Sequence, residues 1–216
     1  MGVFVLGIDP GRFGGMAVVE VSYDGVLPEG ERFGYRAVEG CCLPYGDDKR
    51  GWLPGSGKGL PKILDVGALQ SMFYRVVSGH EDAVEGGRFF IVVERQQEVY
   101  GSGFVKGSFA SGFNYGLLRG ALLDFFGGRM HGFFGPGWVF RSGSIFLAVP
   151  SVWKKDFGVP SGKEDARRMA ISFFGGDVLF PLKKDEGIAE AALSALGNAK
   201  DALGRLRGAC DLLGGG

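Results

Sequence analysis

Apolar and polar positions change period several times along the chain, and each change marks an element. Val3–Ile8 and Met16–Val21 are β-branched runs separated by DPGRFGG, a turn rich in Pro and Gly, and they predict a hairpin. Arg32–Val38 reads as a third antiparallel strand, and residues 40–59, crowded with Pro, Gly and Asp, as a long loop. Leu64, Leu69, Met72, Phe73 and Val76 recur at mixed three- and four-residue spacing, so Leu64–Val77 is expected to be a helix with one apolar face. Phe89–Val93 is apolar without interruption, which suits a strand covered on both sides. Beyond it, Ser108–Phe126 reads as a helix, Ile145–Val149 as a strand, and Ser151–Phe157, Lys163–Phe174 and Asp185–Leu206 as helices.

Three strands, helix, strand, helix, strand, helices is an α/β order. An antiparallel meander followed by two crossovers returning in parallel gives a mixed five-stranded sheet flanked by helices, an order similar to that of RNase H-like folds. The first and fourth strands would then lie side by side. The expected organisation is a single domain over 1–208, with loop insertions near 40–59 and 127–144, and a glycine-rich tail at 209–216. Gly112, Gly116 and Gly120 fall at four-residue intervals down one side of the Ser108–Phe126 helix. They suit close packing, either on the chain's own sheet or on a second copy. Asn114 and Arg119 make that helix too polar for a membrane dimer motif.

Composition narrows the classes. At 216 residues and 45% hydrophobic the chain can bury a core, and its 41 glycines read as loop punctuation. Lys and Arg total 24 against 24 Asp and Glu, so no global charge draws it to nucleic acid. Locally, residues 101–168 carry nine basic side chains against four acidic, a surface able to track phosphates or simply a set of solvated helix faces. Cys41, Cys42 and Cys210 make no CxxC pair, and His80 and His131 are isolated, which supports neither a zinc site nor a disulfide framework. No run approaches the roughly 18 apolar residues of a membrane span, and no signal or transit peptide is visible. GWLPGSGK at Gly51–Lys58 misses the phosphate-loop spacing and follows no strand.

The chemistry lies in carboxylates. Asp9 ends the first strand in IDPG, Glu94 ends the fourth in VVERQ, and Asp185, Glu186 and Glu190 cluster where the closing helix begins. Each alone has an ordinary explanation: a turn, a first exposed residue, a helix cap. Together they match what two-metal phosphodiester hydrolysis needs, since hard cations take oxygen ligands and two of them sit roughly 3.5–4 Å apart. Asp185 and Glu190 are five residues apart, roughly 140° off one helical face, so they converge only if Asp185 precedes the helix with its side chain turned inward. Glu186 shares a face with Glu190 more naturally, and the choice between the two stays open. Glu190 sits in IAEAALSAL, where an unpaired carboxylate would be costly. Lys163 opens a helix in SGKEDARR and could neutralise a scissile phosphate.

LGIDPG, VVERQ, SGFNYGLLRGALL, VPSVWKKDFGV, SGKEDARRMA and LKKDEGIAEAALSAL, in this order, resemble the RuvC-like Holliday-junction resolvases, and within them the plant chloroplast resolvases. The resemblance covers the first strand and most of the chain beyond residue 89. It implies that Asp9, Glu94 and Glu190 bind two Mg²⁺ or Mn²⁺ ions per site and that Lys163 is the catalytic lysine. Asp185 stands where plant relatives often have a histidine, a departure that bears on whether it binds metal or handles protons. The implied substrate is four-way DNA, cut by a homodimer; Arg95, Gln96, Lys154, Lys155, Arg167 and Lys184 are the residues expected to lie against the DNA. The plant likeness implies a plastid nucleoid; otherwise the cytoplasm is expected. Alternatives are a flap or fork nuclease of the same superfamily and a non-catalytic DNA-binding module. An actin-like sugar kinase would need a second domain that 216 residues do not hold.

Overall fold

A computed structural model describes residues 2–11, 14–22, 34–53, 61–95, 105–129, 145–156, 158–159, 163–174, 179–182 and 185–199. Five strands form one sheet: β1 (Gly2–Asp9), β2 (Gly15–Ser22), β3 (Gly34–Cys42), β6 (Phe89–Glu94) and β7 (Ile145–Ala148). Their order is β3-β2-β1-β6-β7, with β1–β2 and β2–β3 antiparallel and β1–β6 and β6–β7 parallel. The mixed five-stranded sheet flanked by helices is therefore present, with the first and fourth of its strands adjacent.

Strand alternation decides what each face receives. On β1, Val3 and Val5 enter one core and Leu6 and Ile8 the other; on β6, Phe90 and Val92 join the first, and Phe89, Ile91 and Val93 the second. Helices α1 (Val66–Ser78) and α3 (Val105–Leu122) cover the Leu6 face. The short α4 (Pro150–Asp156), α5 (Lys163–Phe174) and the closing helix α6, residues 186–199, cover the Val5 face.

Glycine lets α6 come close. A Cβ on Gly7 of β1 would run into the Ala191 carbonyl oxygen, and one on Gly15 would stand 2.5 Å from the Ile188 nitrogen. Ala189, Ala191, Ala192 and Ala195 answer from the helix, all fully buried. Larger residues on either side would lift α6, and with it Glu190, off the sheet.

Several boundaries differ from the sequence reading. The stretch expected to be a long loop holds the end of β3 and a three-residue strand, β4 (Tyr45–Asp47), which pairs with β5 (Lys62–Leu64). Leu64 therefore ends a strand, and α1 starts after Asp65, whose side chain caps Ala68 N at 3.0 Å. A short helix α2 (Glu81–Glu85) precedes β6, and α3 continues as a π-helix over Leu123–Arg129. Asn114 ties α3 to β5, accepting from Leu64 N at 2.9 Å and donating to Lys62 O at 3.1 Å. Packing of the α3 glycines on the chain's own sheet is overturned. Asn114, Leu118, Ala121 and Leu122 take the inner face, and a Cβ on Gly112, Gly116 or Gly120 would meet nothing within 4 Å. At about 100° per residue those glycines lie opposite the buried stripe. No described helix is long and apolar enough to cross a membrane. The expected insertion beyond Arg129 and the tail lie outside the described residues.

Candidate active site

Asp9 and Glu94 come together because β1 and β6 are parallel and in register. Ile8 pairs with Val93, so the next residue of each strand is the acid. Alternation turns both acids toward the Val5 face, which α4 and α6 cross. Asp9 is buried, and its Oδ1 accepts from Gly11 N at 2.8 Å, which fixes the carboxylate at the turn. Tyr45, from β4, donates its hydroxyl to Pro10 O at 3.1 Å and braces the same turn. Burial and the Asp9 charge both push the Tyr45 phenol above its ordinary value.

Glu94 is half-buried and carries the largest resolved shift among the acids. Burial, then the charges of Asp9 and Glu190, push its carboxyl up to about 7, against the opposing pull of Lys154 and of the Trp153 indole N–H. Trp153 Nε1 donates to Glu94 Oε2 at 3.2 Å. These interactions bring Asp9, Glu94 and Glu190 into one electrostatic neighbourhood.

Glu190 is 8% exposed on α6, and Lys154 Nζ lies 2.7 Å from its Oε1. Lys154, expected among the DNA contacts, is thus turned onto an acid. Burial pulls its ammonium down, but the Glu190 hydrogen bond and the charges of Glu190, Glu94 and Asp9 outweigh that, and the net shift is upward. Asp185 is buried just ahead of α6, and its Oδ2 reaches back to accept from Leu182 N at 2.8 Å. Glu186 is half-buried in the first turn of α6.

The remaining sequence candidates fall outside this group. Lys163 is the first residue of α5, and its side chain lies outside the described residues. Gln96 and Lys184 also lie outside them. Arg95 is exposed beside Glu94, and Lys155 is exposed on α4. Arg167 bonds to both oxygens of Glu164, at 3.2 and 2.9 Å, and to Phe180 O at 2.8 Å, which ties α5 to the segment before α6. Trp153 and Lys154 as partners of the acids were not read from the sequence; the WKK tripeptide after a strand was the available signal.

The donor chemistry fits a divalent cation. All donors are carboxylate oxygens, the hard ligands such an ion takes, and burial together with the neighbouring charges of Asp9 and Glu190 raises the proton affinity of Glu94. In this geometry, however, no group of three or more His, Cys, Asp or Glu among the described residues stands close enough together to hold a metal ion. Asp9 and Glu94 share one end of the sheet, and Lys154 occupies Oε1 of Glu190.

The architecture is a RuvC/RNase H-like fold. Among solved structures, the chain is similar to Thermus thermophilus RuvC in complex with a Holliday junction substrate, at TM-score 0.50 and 15% identity over 93% of this chain and 96% of that one. A second Thermus thermophilus RuvC structure matches at TM-score 0.50 and 15% identity, over 92% and 95%. No family model and no curated protein matches the sequence. Likeness at this identity concerns the fold.

Proposed function

We propose that this chain is a structure-selective endodeoxyribonuclease that resolves four-way DNA junctions by paired nicks, using two Mg²⁺ or Mn²⁺ ions per site. The observation that carries the reading is the placement of Asp9 and Glu94 at adjacent strand ends, facing the helix that bears Glu190. The fold likeness to a RuvC bound to junction DNA supports the substrate class.

Asp9, Glu94 and Glu190 would hold the ions, joined by Asp185 or Glu186. Bound ions would supply Lewis-acid activation of water and neutralisation of charge on the scissile phosphate. The chain's own part is to orient the acids and to provide countercharge. Lys154 neutralises Glu190 before loading and, with its flexible stem, can swing to solvent or to a phosphate oxygen afterwards. Lys163 fits the role of a cation at the phosphate. Retention of every carboxylate argues against a non-catalytic module.

Two opposed cuts need two sites related by a two-fold axis, which a homodimer provides. The outward stripe on α3 and the start of its π-helical continuation supports this contact: Phe109, Gly112, Gly116, Gly120 and Leu123 are symmetric about Gly116 and exposed, so two antiparallel copies can set Phe109 of one against Leu123 of the other. The resemblance of its motifs to plant chloroplast resolvases supports a plastid nucleoid as the place of action; without that kinship the cytoplasm is the compartment proposed.

Digestion of labelled four-way, Y-shaped and linear DNA with Mg²⁺, with the nicks mapped, tests the whole reading. Symmetric paired nicks on the four-way substrate are expected. Single nicks on Y-shaped DNA alone would establish the flap-nuclease alternative.

A further inference from the structure

Trp153 stands where the acids of two elements meet. Its indole is 3% exposed and packs into the core that holds Ala166, Ala170 and Phe180, so its ring has little freedom. Its N–H points at Glu94 Oε2, at 3.2 Å, and Lys154 Nζ lies 5.2 Å from the centre of its ring. One immobile side chain thereby touches Glu94 directly and, through Lys154, reaches Glu190.

We propose that Trp153 is a positioning residue for the nuclease site: its indole N–H holds Oε2 of Glu94 and so presents Oε1 to a divalent cation in one fixed orientation. This rests on the nuclease reading above. A glutamate has three rotatable side-chain bonds, and at a strand end beside solvent it samples several orientations unless something holds one oxygen. Tryptophan suits the task because indole offers a single donor, no acceptor and no charge that would compete with the cation for the carboxylate. A buried lysine at that place would bind Glu94 more strongly but would have to be displaced, as Lys154 must be from Glu190. Outer-shell donors of this kind fix ligand orientation, and their loss weakens metal affinity.

The test titrates Mn²⁺ calorimetrically into the full chain without DNA, so no turnover is read. Trp153→Phe keeps an aromatic ring and removes the donor, and is expected to weaken Mn²⁺ binding by about 10- to 100-fold. Should phenylalanine disturb packing, as judged by melting in EDTA, site-specific replacement of Trp153 by benzothienylalanine keeps the indole shape with sulfur in place of N–H; the same loss is expected. In a Glu94→Gln background either replacement should cost no further affinity, a coupling that a purely structural role would not produce. Wild-type affinity in the benzothienylalanine protein overturns the role of Trp153 alone. Absence of Mn²⁺ and Mg²⁺ binding by the unmodified chain would overturn the two-metal reading and this proposal with it.

Discussion

The two faces of the sheet use the same strands and differ by one residue of alternation. On the α1/α3 face, β1 and β6 end on Ile8 and Val93, both buried; on the α4–α6 face they end on Asp9 and Glu94. Each face is covered by helices, and the apolar residues beneath are equally well buried. The difference shows how little separates a core from a site in this architecture: the last residue of an apolar strand falls on whichever face its parity dictates. The first face stabilises the chain, and the second gives up part of its apolar closure to hold charge.

Substitutions at the two ends should therefore separate activity from stability. Asp9→Asn, Glu94→Gln and Glu190→Gln are each expected to reduce junction cleavage to background while leaving junction binding intact. Glu94→Gln should also raise the metal-free melting temperature, because it removes a charge that burial and its neighbours disfavour. Leu6→Ala, fully buried on the opposite face, should lose about 2–5 kcal/mol of stability and keep full activity per folded molecule. Near-normal turnover in any of the three acid variants would remove that acid from the site.

Glycines give the next contrast. Gly7→Ala places a methyl against the Ala191 carbonyl, so α6 must shift; a loss of about 1–3 kcal/mol and weaker Mn²⁺ binding are expected. Gly116→Ala meets open space in the middle of a helix and should stabilise the isolated chain by about 0.5–1 kcal/mol. If two copies meet on α3, the same methyl weakens dimerisation, read by sedimentation at micromolar concentration. Unchanged association would take α3 out of the contact.

How far the sequence reveals this arrangement follows from the range of the interactions. α5 begins and ends where its pattern and flanking glycines put it, Lys163–Phe174, and Asp9 and Glu94 are legible because each ends an apolar run. Adjacency of the two strands follows from their order. β4 and β5 escape notice because three residues carry no period, and β5 is tied to α3 by Asn114, fifty residues beyond Leu64. The α3 glycines reveal a common face but not its direction, since the buried stripe opposite includes the polar Asn114. Lys154 reads as one more basic residue until the packing of α4 on the sheet sets it against Glu190, a contact spanning 36 residues.

Acidity should move metal-free stability and metal affinity in opposite senses, and both through the face that carries Glu94. The Glu94 carboxyl holds its proton up to about 7 in the folded chain, against an ordinary value of 4.5. Between these values the folded state binds more protons than the unfolded one, so metal-free stability from this group falls as pH rises from about 4.5 to 7. A cation competes with that same proton. Mn²⁺ affinity is expected to rise from pH 6 to about 8 and then level off, with a proton released on binding near pH 6. Glu94→Gln should flatten both trends, while Leu6→Ala should leave the metal profile unchanged. A Mn²⁺ affinity independent of pH across this range would take Glu94 out of the ligand set.

The smallest effect separates two neighbours on α4. Lys155 is exposed, whereas the ammonium of Lys154 is already matched by Glu190. Counterion release counts only cations that a phosphate newly neutralises, so the two lysines should contribute unequally to the salt dependence of DNA binding measured without metal. Lys155→Met is expected to lower the slope of log affinity against log salt by about 1, the share of one phosphate contact. Lys154→Met should leave that slope where it was, because its charge stays with Glu190 in the metal-free state. With Mg²⁺ loaded into cleavage-inactive Glu94→Gln, any contribution from Lys154 should appear only if the ion has displaced it toward the DNA. Equal slopes lost by both variants in EDTA would put Lys154 on the phosphate from the outset and leave Glu190 to find its countercharge elsewhere.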